Sequence, residues 1–198
     1  MLKQQPNIIP MNYLLLGNDN GKQKPIGVIS NSHEIKILNK QKIPNSIKEY
    51  LIKIEDRRFF THRGIDYKSI FRAMLANLKN LSIVQGGSTI TQQLARNILR
   101  CNNKTIYRKI LEVKTALLLE KTYTKEQILE LYFNNVYWGK NIYGIRAASL
   151  TYFNKEPYKL NKIEQIKLIA LLRGPNIYIA NSNLLLKRMN LLIKILKI

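Results

Sequence analysis

The sequence predicts a mainly α-helical domain with a short β segment near its N-terminus. Three features of the 198 residues carry that expectation. Beyond Pro44, apolar residues recur at helical intervals in one segment after another, the spacing of helices with a single buried face. Before it, Pro6, Pro10, Gly17, Gly21 and Pro25 make residues 1–25 irregular, and residues 26–30 and 34–38 read as two short strands joined by Asn31-Ser32-His33. A hydrophobic content of 45% is enough for one real core. The chain thus divides into an N-terminal segment, residues 1–42, and a helical domain, residues 43–198, with no internal repeat or low-complexity linker.

Pro44 opens a helix over residues 45–55. Residues 67–81 place Ile70, Phe71, Met74, Leu75, Leu78 and Leu81 on one face, with Lys68, Arg72 and Lys79 on the other. A core stripe with a wet back is the first reading of that pattern, and a helix lying on an anionic bilayer is the second. Gly86-Gly87 ahead of Ser88 and Thr89 reads as a loop entering a helix, with one of the two hydroxyl residues as N-cap. Residues 105–121 and 125–133 continue as helices, and Gly139 and Gly144 bracket a turn near Trp138. A helix over residues 145–153 stops at Asn154, which tolerates left-handed backbone. Residues 160–172 form an amphipathic helix ended by Gly174-Pro175, and residues 183–196 form the last.

Charge is the anomaly of the composition: 33 Lys and Arg against 12 Asp and Glu, a net +21. Such a surface is drawn to polyanions. The cations are scattered through an Ile-, Asn- and Lys-rich chain without a long basic block or a nucleic-acid motif, so a biased composition is preferred to a nucleic-acid surface; an anionic membrane surface stays open as a partner. Cys101 has no second cysteine to pair with. No apolar run of about 18 residues is available for a membrane-spanning helix, and the first residues do not read as a signal peptide.

The chemistry concentrates in Glu55-Asp56-Arg57-Arg58-Phe59-Phe60-Thr61-His62-Arg63-Gly64. Its acidic pair directly follows the apolar run around Leu51, Ile52 and Ile54. A carboxylate at the edge of a buried segment is suited to accept a proton, and the same residues also suit a capping and salt-bridge cluster. The loop at Gly87, Ser88 and Thr89 offers helix N-terminal N–H groups to a phosphate, while Gln92 and Gln93 add amides for sugar hydroxyls. Arg108 and Glu112 stand four residues apart with Lys109 beside them. This is either a surface salt bridge or a carboxylate bracketed by cations near a pyrophosphate.

Together these segments resemble the peptidoglycan glycosyltransferase family, the lysozyme-like, mostly helical domain of class A penicillin-binding proteins and of monofunctional transglycosylases. The resemblance covers residues 43–198. The stretch at Glu55 matches E-D-x-x-F-x-x-H-x-G, and Gly87 to Gln93 matches the x-S-T-I-T-Q-Q of the G-x-S-T-I-T-Q-Q pattern, whose first glycine is Gly86. Arg108 to Glu112 matches R-K-x-x-E. Lys125 to Asn134 matches K-x-x-I-L-E-x-Y-L-N, with Phe133 in place of Leu, and Lys187 to Leu192 is a softened R-R-x-x-V-L. Five motifs in the family's order make a strong signal.

The resemblance implies a two-lobed helical domain that polymerises lipid II, with release of undecaprenyl pyrophosphate and inversion at the anomeric carbon. It implies Glu55 as general base and Glu112 as support for the leaving pyrophosphate, through nearby cations or a divalent cation, Mg or Mn, for which Glu112 is the candidate ligand. Ser88, Gln92, Gln93, Arg96, Lys104, Arg108 and Lys109 are implied as substrate-binding residues. Arg96 stands where the family usually has Lys, and Lys104 near where relatives place Arg. Asp56, His62, Gly87, Glu130, Asn134 and Arg188 are implied as structural.

The implied partners are lipid II, the nascent glycan, an anionic membrane surface and other cell-wall synthases, with no nucleic acid. The implied location is the extracytoplasmic face of the bacterial cell membrane, peripherally or through an anchor beyond this sequence. The chain has no space for a transpeptidase domain, so the expectation is a monofunctional polymerase or a fragment of a longer one. A lysozyme-like peptidoglycan-cleaving enzyme is the enzymatic alternative, and a non-catalytic basic protein that binds nucleic acid or membrane is the alternative from another class.

Overall fold

The computed structural model describes residues 14–19, 22–30, 33–34, 43–82, 85–99 and 105–198. The described part is mainly α. Ahead of the helices the backbone runs as β1 (Leu14–Asp19), β2 (Lys22–Ser30) and β3 (His33–Glu34), antiparallel neighbours in that order. The expected strand over residues 26–30 lies within β2, and residues 35–38 of the second lie outside the described residues, as do Cys101 and Lys104.

Nine α-helices follow among the described residues. They are α1 (Asn45–Glu55), α2 (Tyr67–Lys79), α3 (Ile90–Leu99), α4 (Ile106–Thr122), α5 (Lys125–Asn135), α6 (Ile145–Phe153), α7 (Lys162–Leu171), α8 (Pro175–Ala180) and α9 (Ser182–Leu196). Their starts are chemically marked. Thr105, Thr124, Asn161 and Asn181 each accept a backbone N–H three residues on, and Thr124 with Gln127 and Asn161 with Glu164 close reciprocal capping boxes. Asn154 ends α6 in the left-handed region at φ 51°.

Helix α5 is the centre of the domain. Ile128, Leu129, Leu131, Tyr132, Phe133, Asn134 and Asn135 are all buried, so it is covered on most sides rather than along one stripe. Helix α3 packs against α4 and α5, while α7 packs against α1 and α9. Phe59, Trp138 and Ile145 fill the gaps between these helices with no exposed surface. This framework brings the C-terminus of α1, the N-terminus of α3 and the middle of α9 towards one cleft.

The structure corrects two expectations. Pro175 does not only close α7; it occupies the first turn of a further short helix, α8, where its fixed φ and missing N–H are favourable. The apolar face of α2 is not a core stripe either. Ala73 is the only buried residue of that helix, whereas Phe71, Met74 and Leu78 are 59%, 57% and 70% exposed.

Candidate active site

Helix α1 carries Glu55 on its last residue, and Asp56 then turns the chain out of the helix. Beyond it, the loop to Gly64 is fixed from within. Phe59 is fully buried, and Asp56 and His62 are 6% exposed. The Asp56 carboxylate lies 3.0 and 2.9 Å from His62 Nε2 and accepts the Ile90 N–H at 3.0 Å. His62 Nδ1 accepts the Gly64 N–H at 3.2 Å. A ring nitrogen that accepts carries no proton, so Nε2 bears the hydrogen and donates to Asp56. Asp56 thus satisfies the first N–H of α3 and complements the positive end of that helix. Its oxygens are engaged in holding α1, the loop and α3 together.

The entry to α3 is a capping box as well. Thr89 is the N-cap, Gln92 N–H donates to Thr89 Oγ1 at 3.1 Å, and Thr89 N–H donates to Gln92 Oε1 at 3.0 Å. Thr89 also donates to the Gly64 carbonyl at 2.7 Å. Gln92, read from the sequence as a sugar or phosphate ligand, is therefore buried with its side chain turned back on Thr89. Gln93, next along, points the other way: its Nε2 donates to Glu55 Oε2 at 3.1 Å, and its Oε1 accepts the Tyr132 hydroxyl at 3.0 Å.

Gly87 lets the loop lie directly on α2. A Cβ there would stand 2.9 Å from Ile70 Cα and 3.3 Å from Ile70 N, so the backbone of one or the other must move. Gly87→Ala is expected to push the Ser88 edge outward and raise KM for substrate several-fold with little change in Tm. Steady-state kinetics beside a thermal melt check this, and an unchanged KM would contradict it.

The cleft between these elements has a volume of about 650 Å³. Glu55, Asp56, Ser88, Gln93, Arg96 and Arg188 all line it, together with Lys53, Arg57, Arg72 and Arg173, which are not among the expected site residues. Three carboxylates reach it, but they differ in what they are free to do. Asp56 is bound to His62 and Ile90. Asp66 accepts both the N–H and the hydroxyl of Ser69, at 3.1 and 2.6 Å, and faces Arg58 at 3.5 Å. Burial pushes the Asp66 carboxyl up, but the two Ser69 bonds, with the charge of Arg58 behind them, outweigh it and hold it below its usual value. Glu55 accepts one hydrogen bond among the described residues, from Gln93, and is half-buried. Of the three it is the least engaged by hydrogen bonds and ion pairs among the described residues.

Arg188, expected to be structural, stands in the cleft wall with its Nε buried and without a hydrogen-bond partner. Burial, and then the like charge of Arg173, pull its guanidinium below the ordinary range, while Glu55 and Tyr178 pull it back up. A buried, unsatisfied donor beside a half-buried carboxylate belongs to a site shaped for a ligand.

Glu112 does not line the cleft itself. It is 2% exposed, contrary to the reading of a surface salt bridge, and its two oxygens face Arg108 Nε at 3.3 Å and Lys109 Nζ at 3.2 Å. Lys109 also donates to Ser88 Oγ at 3.1 Å, so Glu112 is joined to the cleft wall through one lysine. The donor set does not fit a resident divalent cation. Both Glu112 oxygens are already paired with cations, and among the described residues no three His, Cys, Asp or Glu side chains cluster. Glu130 and Asn134 lie on α5 away from the cleft, where Asn134 Nδ2 donates to the Glu130 carbonyl at 2.7 Å.

The helical domain thus sets a carboxylate among arginines and lysines in one cleft, whose charge is suited to an anionic ligand. The transglycosylase family model matches residues 22–197, and the chain belongs to that family. It is 46% identical over 136 residues to penicillin-binding protein 1F of Bacillus subtilis, covering 69% of this chain and 19% of that protein. It is 44% identical over 155 residues to penicillin-binding protein 1A of Clostridium tetani, covering 76% and 20%. With the biosynthetic peptidoglycan transglycosylase of Nitrosomonas eutropha it shares 39% identity over 138 residues, 70% of this chain and 57% of that protein. The chain thus spans about a fifth of the length of the two penicillin-binding proteins.

Proposed function

We propose that the chain is a peptidoglycan glycosyltransferase that polymerises lipid II. The observation that carries this reading is Glu55: a half-buried carboxylate, oriented by one amide, on the wall of a cleft that six cationic side chains share. In the reaction, the 4-hydroxyl of the acceptor sugar attacks the anomeric carbon of the lipid-linked donor chain. The new glycosidic bond forms as the bond to pyrophosphate breaks, with inversion. Glu55 takes the proton of the attacking hydroxyl, and the electron pair of the broken bond leaves on undecaprenyl pyrophosphate.

The developing charge on that pyrophosphate needs fixed cations on the opposite side of the sugar from the base. Arg96 is one candidate on the cleft wall. Arg108 and Lys109 are the others, held in place by Glu112, whose role is then to fix two cations rather than to touch the substrate. Lys104, outside the described residues, belongs to the same proposed set. Ser88 stands where Lys109 meets the cleft and is suited to a phosphate or sugar oxygen.

The reading extends to a two-lobed, lysozyme-like arrangement of residues 43–198 and to work at the extracytoplasmic face of the cell membrane on lipid II and the nascent glycan. Among the described residues no helix is long and apolar enough to cross a membrane. The exposed Phe71, Met74, Leu75 and Leu78 on α2, flanked by Lys68 and Arg72, suit peripheral contact with an anionic bilayer. The test is a polymerisation assay with purified protein and lipid II in detergent, read by electrophoresis of the glycan. Long strands are the expected product. Release of soluble fragments from finished peptidoglycan, with no polymer from lipid II, would establish a cleaving enzyme instead.

A further inference from the structure

A line of hydrogen bonds begins deep in the domain and ends on the carboxylate in the cleft. Tyr132 on α5 is 1% exposed and donates its hydroxyl to Gln93 Oε1 at 3.0 Å. Gln93 on α3 donates Nε2 to Glu55 Oε2 at 3.1 Å. The two ends of a glutamine amide are nearly the same shape, so the amide can turn over, and one of its two orientations sets a carbonyl oxygen against the carboxylate. The Tyr132 hydroxyl removes that freedom by binding the oxygen end. The phenol keeps its proton for this purpose: burial, and secondly the charge of Glu55, push its pKa well up, with Arg96 acting weakly the other way.

We infer that Tyr132 is a positioning residue for the base, acting through Gln93, and that Gln93 serves Glu55 rather than the sugar. The inference rests on the reading of Glu55 as the general base. Tyr132 fixes the amide, and the amide N–H fixes the carboxylate at the rotamer from which its other oxygen meets the acceptor hydroxyl. A base held at one angle reacts without a search through orientations, and a displacement of about 1 Å can cost on the order of 100-fold in rate. The charged groups that share the cleft with Glu55 are Arg72 from α2, Arg96 from α3, Arg173 after α7, Arg188 from α9, Lys53 and Arg57 on its own side, and the carboxylates of Asp56 and Asp66. None of them touches Tyr132 or Gln93 through a hydrogen bond that would be lost with the hydroxyl, so the variant below alters orientation and leaves the charges in place.

Tyr132→Phe keeps the buried ring and its edge-on packing with Phe133, and deletes only the hydroxyl. It is expected to lower kcat by about 10- to 100-fold with KM for lipid II within about twofold of wild type. Gln93→Met, which fills the same space without a donor or acceptor, should do the same. The double variant should be no slower than Gln93→Met alone, because both act through one amide. A loss from a merely weakened core would instead add to that of Gln93→Met, and would overturn the inference. So would a raised KM with unchanged kcat in Gln93→Met, which marks a sugar contact; that variant also decides the matter if Tyr132→Phe does not fold. Full activity in Tyr132→Phe beside an inactive Glu55→Gln sinks this inference and leaves the base assignment standing. An active Glu55→Gln removes the base assignment itself.

Discussion

Glu55→Gln is expected to slow lipid II polymerisation by about 10²- to 10⁴-fold, the usual contribution of a general base. The substitution is close to isosteric, and its carbonyl oxygen can still accept from Gln93 Nε2. What it removes is the ability to take a proton from the attacking hydroxyl. The cations along the cleft are untouched, so KM should change little, and the whole loss should appear in kcat. The initial rate of lipid II consumption by wild type and variant at equal concentration gives the answer, with circular dichroism to show that both are folded. A variant that polymerises at the wild-type rate disposes of the assigned base. The other two carboxylates of the cleft are poor substitutes: Asp56 is held by His62 and Ile90, and Asp66 by Ser69 and Arg58.

Much of this was legible before the structure, and the parts that were not have physical reasons. Helices with a cap at one end and a breaker at the other announced themselves; α1 begins and ends where Pro44 and the acidic pair place it, and α6 stops at Asn154. Helix α2 misled because a helix whose apolar face meets a core and one whose apolar face meets nothing have the same periodicity. Pro175 misled because proline is both a stop for one helix and a start for the next.

At the site, the motif strings located the residues but not their directions. Gln92 and Gln93 are neighbours of identical chemistry, yet one closes a capping box and the other reaches Glu55. The capping-box spacing of Thr89 and Gln92 was the available signal for telling them apart. Arg173 and Arg188 come to Glu55 from segments more than a hundred residues downstream, and nothing local in the chain brings them there. Tyr132 is the tyrosine of the K-x-x-I-L-E-x-Y-L-N match, yet nothing in that string shows that its hydroxyl reaches Gln93 on another helix.

Asp56 carries the second large effect, and it concerns stability before activity. Asp56→Ala leaves two buried donors, His62 Nε2–H and the Ile90 N–H, without an acceptor, and opens a small cavity beside Phe59 and Ile90, which are themselves fully buried. An unsatisfied buried donor costs about 1–3 kcal/mol, so the pair should cost about 2–6 kcal/mol, or on the order of 10 °C in Tm for a chain of this size. Asp56→Asn is expected to fall between, because its single carbonyl oxygen can serve one donor while its amide hydrogens confront the other. Thermal unfolding followed by circular dichroism measures both, and a melting point for Asp56→Ala within about 2 °C of wild type would show that the bonds contribute little. Because Asp56 follows Glu55 directly and its carboxylate ties the end of α1 to the start of α3, the same loss loosens the two helices that carry the base and its amide partner. The residue beside the proposed base thus acts on the reaction through the backbone, by holding Glu55 and Gln93 at one separation.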